Sequence, residues 1–279
     1  MFCGMHEKCY LCIYIINKVY MKTVIIGTGN VAWHLSLALR GAGHEVLQVV
    51  GRSEEKAAEV AGRVGAEAVC SYEAVRLDAD AYVIAVKDDA VRQVAAALPK
   101  ELRGVMMHTA GSVPLSVFDG ITENAAVLYP MQSFTKGREL RYEEIPFFIE
   151  AANEASLQTV RSLAESVSQS VRCIDSQQRL MLHLAAVFAS NMANHCYTLA
   201  ERIVNEAGID FALYGPLIRE TAAKASVMSP RVAQTGPMRR GDKAIMEKQM
   251  GLLSDPMMRE FYALFAKSIR DERINKLTN

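Results

Sequence analysis

The chain has 279 residues, of which 51% are hydrophobic, enough for one large domain or two ordinary ones with a buried core. Its 31 basic and 31 acidic residues balance. A net-neutral chain has no general attraction for nucleic acid or for an anionic membrane surface, so we expect neither as a partner. Any anion that the protein binds must therefore be held by local geometry.

The first 20 residues are interpreted separately from the rest of the chain. Their apolar run, residues 10–16, is too short to span a bilayer, and they lack the basic start and small-residue cleavage site of a signal peptide. Cys9 and Cys12 have no second Cys or His pair nearby, so we expect no metal there or elsewhere. We interpret residues 1–20 as a non-functional extension ahead of a start at Met21.

The remaining cysteines and the later apolar segments bear on the compartment. Cys70, Cys173 and Cys196 lie in apolar surroundings and are expected to behave as small hydrophobic residues in a reducing compartment. No later segment approaches the length needed to cross a membrane. The sequence thus predicts a cytoplasmic protein.

From residue 23 onward, strands and helices alternate. The predicted strands are 23–26, 45–50, 67–70, 81–86, 104–108, 126–129, 146–150 and 171–174, and the predicted helices between them are 30–41, 53–64, 88–98 and 154–168. Strands that alternate with helices in this way favour an α/β fold with a parallel, doubly wound sheet.

The pattern becomes wholly helical after the last of these strands. Asp175, with Gln178 three residues later, predicts a capped helix that runs on to Gly208. Three further helices are predicted, at 211–228, 241–253 and 256–271. We therefore expect an α/β domain over residues 21–174 and an all-helical domain over residues 175–279.

A glycine-rich loop follows the first strand and opens the first helix. Its residues are Gly27, Thr28, Gly29, Asn30, Val31 and Ala32. In this spacing the first glycine permits a tight turn, the second lets a pyrophosphate approach the backbone, and the third small residue packs the helix on the strand. The free N–H groups of the helix N-terminus bind the anion. The sequence therefore predicts a doubly wound Rossmann sheet that binds a dinucleotide.

The end of the second strand distinguishes the two nicotinamide dinucleotides. An NAD site usually has an acidic residue there for the ribose hydroxyls, but this chain has Arg52 and Ser53. A guanidinium and a hydroxyl suit a 2′-phosphate, which favours NADP over NAD as the cofactor. The alternative is that Arg52 is a solvated loop residue.

Three more loops follow strands at the edge of the sheet where ligands bind. We expect the cofactor to contact Ala85, Val86, Lys87, Thr109 and Gly111, and the substrate to contact Ser112, Met131, Gln132 and Ser133. The alternative is that these are polar loops capped by their own hydroxyls. Asp88 is expected to be a helix N-cap rather than a catalytic acid.

Four motifs carry a resemblance to a known family. They are residues 108–112 (HTAGS), 129–134 (YPMQSF), 183–188 (HLAAVF) and 234–242 (QTGPMRRGD). With the glycine loop, they resemble a bacterial family of NADP oxidoreductases that has a Rossmann-like first domain and a C-terminal domain of unknown function. The resemblance covers residues 21–272. It implies a relationship to 6-phosphogluconate dehydrogenase, ketopantoate reductase and pyrroline-5-carboxylate reductase.

The resemblance directs attention to the long helix, which in the related dehydrogenases presents a lysine and an asparagine to the substrate. This helix has no lysine between Gln177 and Asn194. Instead, His183 and Asn194 share one helical stripe, with Asn191 about 80° from His183. We assign these three as candidate catalytic residues, the histidine for proton transfer and the amides for orienting a carbonyl or imine. The alternative is a polar seam or a dimer contact.

Two adjacent arginines complete the candidate site. Arg239 and Arg240 could clamp a substrate carboxylate or phosphate, or Arg239 could pair with Asp242 at a helix start. The leading hypothesis is an NADP-dependent oxidoreductase that transfers hydride between nicotinamide and a carbonyl or imine of a small polar, anionic substrate. The alternative is a non-catalytic NADP-binding sensor or assembly protein. Because helical domains of this superfamily commonly dimerise, we expect a homodimer through the helical domain.

Overall fold

The computed structural model describes residues 20–274. Except for Tyr20, the extension predicted at residues 1–20 lies outside the described residues. The chain divides into two compact units, one that ends at Phe188 and one that begins at Ala189.

The first unit is built on an eight-stranded sheet. Its strands are β1 (Lys22–Ile26), β2 (Glu45–Val50), β3 (Glu67–Val69), β4 (Ala81–Ile84), β5 (Val105–His108), β6 (Ala125–Pro130), β7 (Phe147–Ala151) and β8 (Val171–Cys173). Their order is β3-β2-β1-β4-β5-β6-β7-β8, and every pair is parallel except β6 with β7. The predicted Rossmann sheet is confirmed. The apolar pattern did not indicate that β7 runs antiparallel to β6.

Helices cover both faces of the sheet. They are α1 (Asn30–Gly41), α2 (Glu54–Val64), α3 (Val91–Ala97) and α4 (Glu154–Val167). Because side chains alternate along a strand, Ile25 of β1 packs with α1, α2 and α4 on one face, while Val24 and Ile26 pack with α3 on the other. The sheet is thereby buried on both sides, and the carboxyl ends of β1, β2, β4, β5 and β6 share one edge.

The wholly helical pattern after β8 is also confirmed. Its helices are α5 (Ser176–Ala186), α6 (Ala193–Glu206), α7 (Gly215–Val227), α8 (Pro230–Ala233), α9 (Pro237–Arg240), α10 (Lys243–Leu252) and α11 (Pro256–Ile274). The predicted capping box at Asp175 and Gln178 begins α5. A π-helical segment, Val187–Met192, joins α5 to α6, which the apolar spacing did not predict.

The second unit has little core of its own within the part of the chain that the structure describes. Only Val204 and Met258 are buried hydrophobic residues there, whereas Leu213, Val227 and Leu252 are each more than 70% exposed. The expectation of apolar surroundings for Cys70, Cys173 and Cys196 was wrong, because all three are exposed. Among the described residues, no helix combines the length and apolarity that crossing a membrane requires.

Candidate active site

The glycine loop joins β1 to α1 in a conformation that its first residue makes possible. Gly27 has a φ of +133°, and a Cβ there would lie 2.2 Å from the carbonyl oxygen of Ala85. The loop therefore needs glycine both for its backbone angle and for its close approach to the end of β4.

The N-terminus of α1 has the geometry of an anion site. Gly29 is the N-cap residue, and no side chain caps the helix there. A Cβ at Gly29 would have no atom within 4 Å, so open space lies beside the uncapped N–H groups. This room and these donors fit the pyrophosphate of a dinucleotide.

The residues predicted to bind the 2′-phosphate lie at the start of α2. Arg52 is exposed. Ser53 is the N-cap of α2, and its hydroxyl accepts a hydrogen bond from the backbone of Lys56 at 3.4 Å. A guanidinium and a helix N-terminus at the end of β2 fit a phosphate.

His108 orders the loop that follows β5. It is fully buried, and its Nδ1 accepts a hydrogen bond from the backbone N–H of Ala110 at 3.2 Å. Burial, followed by the nearby charge of Arg179, lowers the pKa of His108 to about 3, so the imidazole is neutral at pH 7. His108 thus fixes the turn that carries Thr109, which is buried, and Gly111.

His183 of α5 reaches the ends of β5 and β6. Its Nδ1 lies 3.2 Å from the hydroxyl of Tyr129, the penultimate residue of β6. A Cβ at Gly111 would come 2.6 Å from the same nitrogen, so the loop after β5 needs glycine to admit the ring. Burial, followed by the charge of Asp88, raises the pKa of Tyr129, so its phenol is protonated at neutral pH.

A second polar pair lies at the same edge. The hydroxyl of Ser112, after β5, donates to the carboxylate of Asp88, after β4. The prediction that Asp88 is a helix N-cap was wrong, because Lys87 holds the N-cap position of a 3-10 turn and no side chain caps it. Lys87 itself is exposed, and Val86 is half-buried.

A buried arginine fastens α5 to the sheet one helical turn before His183. Arg179 is only 1% exposed and pairs with Glu150 of β7. Its Nη2 donates to the carbonyl oxygen of Val113, and Ser176 donates to the Glu150 carboxylate at 2.8 Å. The start of α5 is therefore tied to both β7 and the loop after β5.

The other predicted site residues differ in their surroundings. Asn191 is exposed on the π-helical segment, and Asn194 is exposed on α6. Met131 packs beside Tyr129 in a small apolar cluster, whereas Gln132 and Ser133 are exposed, with Gln132 accepting the backbone N–H of Ser133.

The two arginines of the C-terminal motif differ in their contacts. Arg239 donates to the carbonyl oxygens of Arg231 and Gln234 at 2.8 and 2.7 Å. Arg240 lines an open cavity of about 680 Å³, and Asp242 caps α10. Arg239 thus holds its own loop together, and Arg240 faces a space that could receive a ligand.

Sequence reasoning missed the roles of Tyr129, Asp88 and Arg179. Tyr129 lies in a buried strand, where an aromatic residue is ordinary, and its spacing from His183 carries no local pattern. Their only sequence signal was position, since strand ends in a parallel sheet converge on one edge. Together, the sheet order, glycine loop and polar strand ends define a Rossmann-type dinucleotide-binding protein.

Two family models match the chain. That of the coenzyme F420-dependent NADP oxidoreductases matches residues 22–107, and a domain of unknown function, DUF2520, matches residues 145–269. The crystal structure of a "putative NADP oxidoreductase" from Bacteroides fragilis is 38% identical, with a TM-score of 0.84 over 90% of this chain and 98% of that chain. The chain therefore belongs to this family of NADP oxidoreductases, as its motifs predicted.

More distant structures share the fold. A protein from Thermotoga maritima is 23% identical, with a TM-score of 0.74 over 90% of this chain and 99% of that chain. A 1-pyrroline-5-carboxylate reductase from Streptococcus pyogenes is 18% identical, with a TM-score of 0.63 over 90% and 99% of the two chains. A reductive aminase from Aspergillus terreus, in complex with NADPH, is 15% identical, with a TM-score of 0.66 over 91% and 95%. No curated protein matches the chain.

Proposed function

We propose that the protein reduces or oxidises a small polar, anionic molecule at a carbonyl or imine carbon, with NADP as the hydride carrier. When bound, the nicotinamide supplies the hydride chemistry, and the protein supplies binding, orientation and proton handling. The observation that carries the proposal is the pairing of Tyr129 with His183 at the sheet edge that also holds the glycine loop.

The chain's own groups suit the proton transfer that accompanies hydride transfer. The raised pKa keeps the phenol of Tyr129 protonated, so it can donate a proton to a developing alkoxide or amine. His183, 3.2 Å from that hydroxyl, can return a proton to it. Asp88 and Ser112, which are hydrogen-bonded to each other, add a carboxylate and a hydroxyl to the same edge of the sheet. No lysine is needed in this arrangement.

The glycine loop and the start of α2 would hold the cofactor. The pyrophosphate fits the uncapped N-terminus of α1 beside Gly29, and Arg52 with Ser53 fits the 2′-phosphate. Within the second unit, Arg240 lines an open cavity, and its guanidinium suits a carboxylate or phosphate.

The proposal is tested by turnover. A panel of small oxo acids and imines, the latter formed from ketones and amines, is incubated with NADPH and the intact protein, and absorbance at 340 nm is followed. Mass spectrometry of ligands that co-purify with the protein directs the choice of panel. Binding of NADPH without turnover of any member, including the co-purified molecule, would support a sensor or assembly protein instead.

Cofactor preference gives a further prediction. Arg52→Asp places a carboxylate where the 2′-phosphate would bind, so NADPH affinity should fall by at least about tenfold while NADH affinity is retained. Calorimetric titration of both cofactors against the native protein and the variant measures this. Equal affinities of the native protein for NADPH and NADH would contradict the role of Arg52.

The exposed hydrophobic side chains of the helical second unit favour a second copy of the chain as the partner. Many of its large hydrophobic side chains are exposed in the single chain. One of them is Leu264 of α11, whose side chain is 65% exposed. We expect light scattering to give twice the 30.7 kDa of one chain. Leu264→Lys should shift the equilibrium toward the monomer, whereas Lys267→Glu, on the same helix, should not. A monomeric native protein at micromolar concentration would contradict the homodimer.

A further inference from the structure

The segment after β6 packs across the N-terminal half of α1. We call this segment, residues 131–142, the strap. The ring of His34 on α1 lies 3.0 Å from the hydroxyl of Tyr142 and 2.9 Å from the carbonyl oxygen of Thr135, and it stacks on Phe134. The strap is therefore fixed to the helix that begins at the glycine loop.

One lysine of the strap lies beside the start of that helix. The backbone N–H of Lys136 donates to the side chain of Asn30, the first residue of α1, at 3.3 Å. Its ammonium group pairs with Glu59 of α2 at 2.6 Å and lies 5.3 Å from the ring centre of Trp33. The backbone of this lysine is thus anchored next to the N–H groups that fit a pyrophosphate.

The ion pair of Lys136 with Glu59 is weakly held. The two side chains are 28% and 47% exposed, and pairs this open to water contribute little to stability. Lysine carries its charge on a flexible four-carbon stem and binds phosphate as a point charge. A doubly charged pyrophosphate arriving at Asn30 would compete for the ammonium more strongly than one carboxylate does.

We propose that Lys136 exchanges Glu59 for the pyrophosphate of the cofactor when NADP binds, which makes the strap part of the cofactor site. The inference rests on the proposed function. It adds a phosphate contact from the segment after β6 to those of the glycine loop and the start of α2. It also assigns a role to Glu59, whose carboxylate binds the ammonium group of Lys136 until the cofactor arrives.

The only tryptophan of the chain reports the exchange directly. Trp33 lies within 5.3 Å of both the Lys136 ammonium and the Arg63 guanidinium. Departure of Lys136 should change the emission of Trp33 when NADP⁺ is added to the native protein. In Lys136→Ala the change should be at most half as large at saturation. An emission change of equal size in this variant would overturn the proposal.

Affinities for both cofactors test the contact itself. Lys136→Ala should weaken NADPH and NADH alike by about tenfold, the size of one charge-assisted hydrogen bond, because both carry the pyrophosphate. Arg138→Ala, an exposed residue of the same strap, is the matched control and should change neither. Glu59→Gln releases the ammonium and should strengthen binding, by up to about fivefold.

The outcomes separate this inference from the proposed function. A native protein that binds neither cofactor would refute the proposed function. A native protein that binds both, with Lys136→Ala binding them equally well, would refute the inference alone. Loss of NADPH affinity only would place Lys136 at the 2′-phosphate and refute its assignment to the pyrophosphate. Weaker binding by Glu59→Gln would show that the ion pair only supports the fold, which would also overturn the proposal.

Discussion

Tyr129→Phe is expected to reduce turnover by about 10²–10⁴-fold, because it removes the hydroxyl that would donate the proton. His183→Ala should cause a loss of similar size, since its Nδ1 lies within hydrogen-bond distance of that hydroxyl, at 3.2 Å. Neither residue lies in the glycine loop, so the affinity for NADPH should stay within about twofold of the native value. Steady-state kinetics and calorimetry measure the two effects separately.

Matched controls distinguish chemistry from packing. Tyr72→Phe removes a hydroxyl from a tyrosine that packs against a different hydrophobic cluster from that of Tyr129, and it should leave turnover unchanged. The double variant Tyr129→Phe with His183→Ala should lose little more than either single variant, because the two groups act as one unit. Losses that multiply would contradict a shared proton path.

The pH dependence follows from the direction of the Tyr129 shift. Burial raises its pKa above the ordinary value of 10.0, so the phenol holds its proton throughout the neutral range. Reduction that needs this proton should fall only in the alkaline range, as pH passes the raised pKa. Tyr129→Phe should remove that alkaline limb from the profile of its residual activity. An unchanged limb would assign it to another group.

The sequence predicted the Rossmann fold of the first unit well because its signals are local. Gly27 and Gly29 are three residues or fewer from the strand and helix that they join, and Arg52 follows its strand directly. The structural role of each glycine can be inferred from a short stretch of sequence, because a tight turn and an uncapped helix end are local structures. The right-handed crossover of strand–helix–strand units then decides which face of the sheet each connecting helix covers.

The proposed proton-transfer pair could be predicted only in part because it is made by distant segments. His183 was recognised on the long helix, but Tyr129, which lies 54 residues away in the sequence, was not paired with it. The choice of Asn191 and Asn194 relied on an unbroken helical period of 3.6 residues. The π-helical segment, Val187–Met192, changes that period and rotates the side chains that follow. No composition signal marks such a segment.

Arg179→Met is expected to lower the free energy of unfolding by about 3–5 kcal/mol, since it leaves the Glu150 carboxylate in a mostly buried position without its cation. Val113 and Ser176 would also lose hydrogen bonds from the guanidinium. Arg161→Met is the matched control, because Arg161 pairs with Glu165 at 3.9 Å on the exposed side of α4 and should cost less than about 1 kcal/mol.

The double variant Arg179→Met with Glu150→Gln separates the ion pair from the packing. A neutral amide in place of the unpaired carboxylate should recover part of the lost stability, because most of the cost comes from the buried charge. Urea unfolding at a fixed protein concentration measures all four proteins, so that any dimer contributes equally. Turnover by Arg179→Met should also be reduced at urea concentrations below its unfolding midpoint, because this arginine fastens α5 one turn before His183. An Arg179→Met variant within 1 kcal/mol of the native protein would show that the ion pair does not hold the helix.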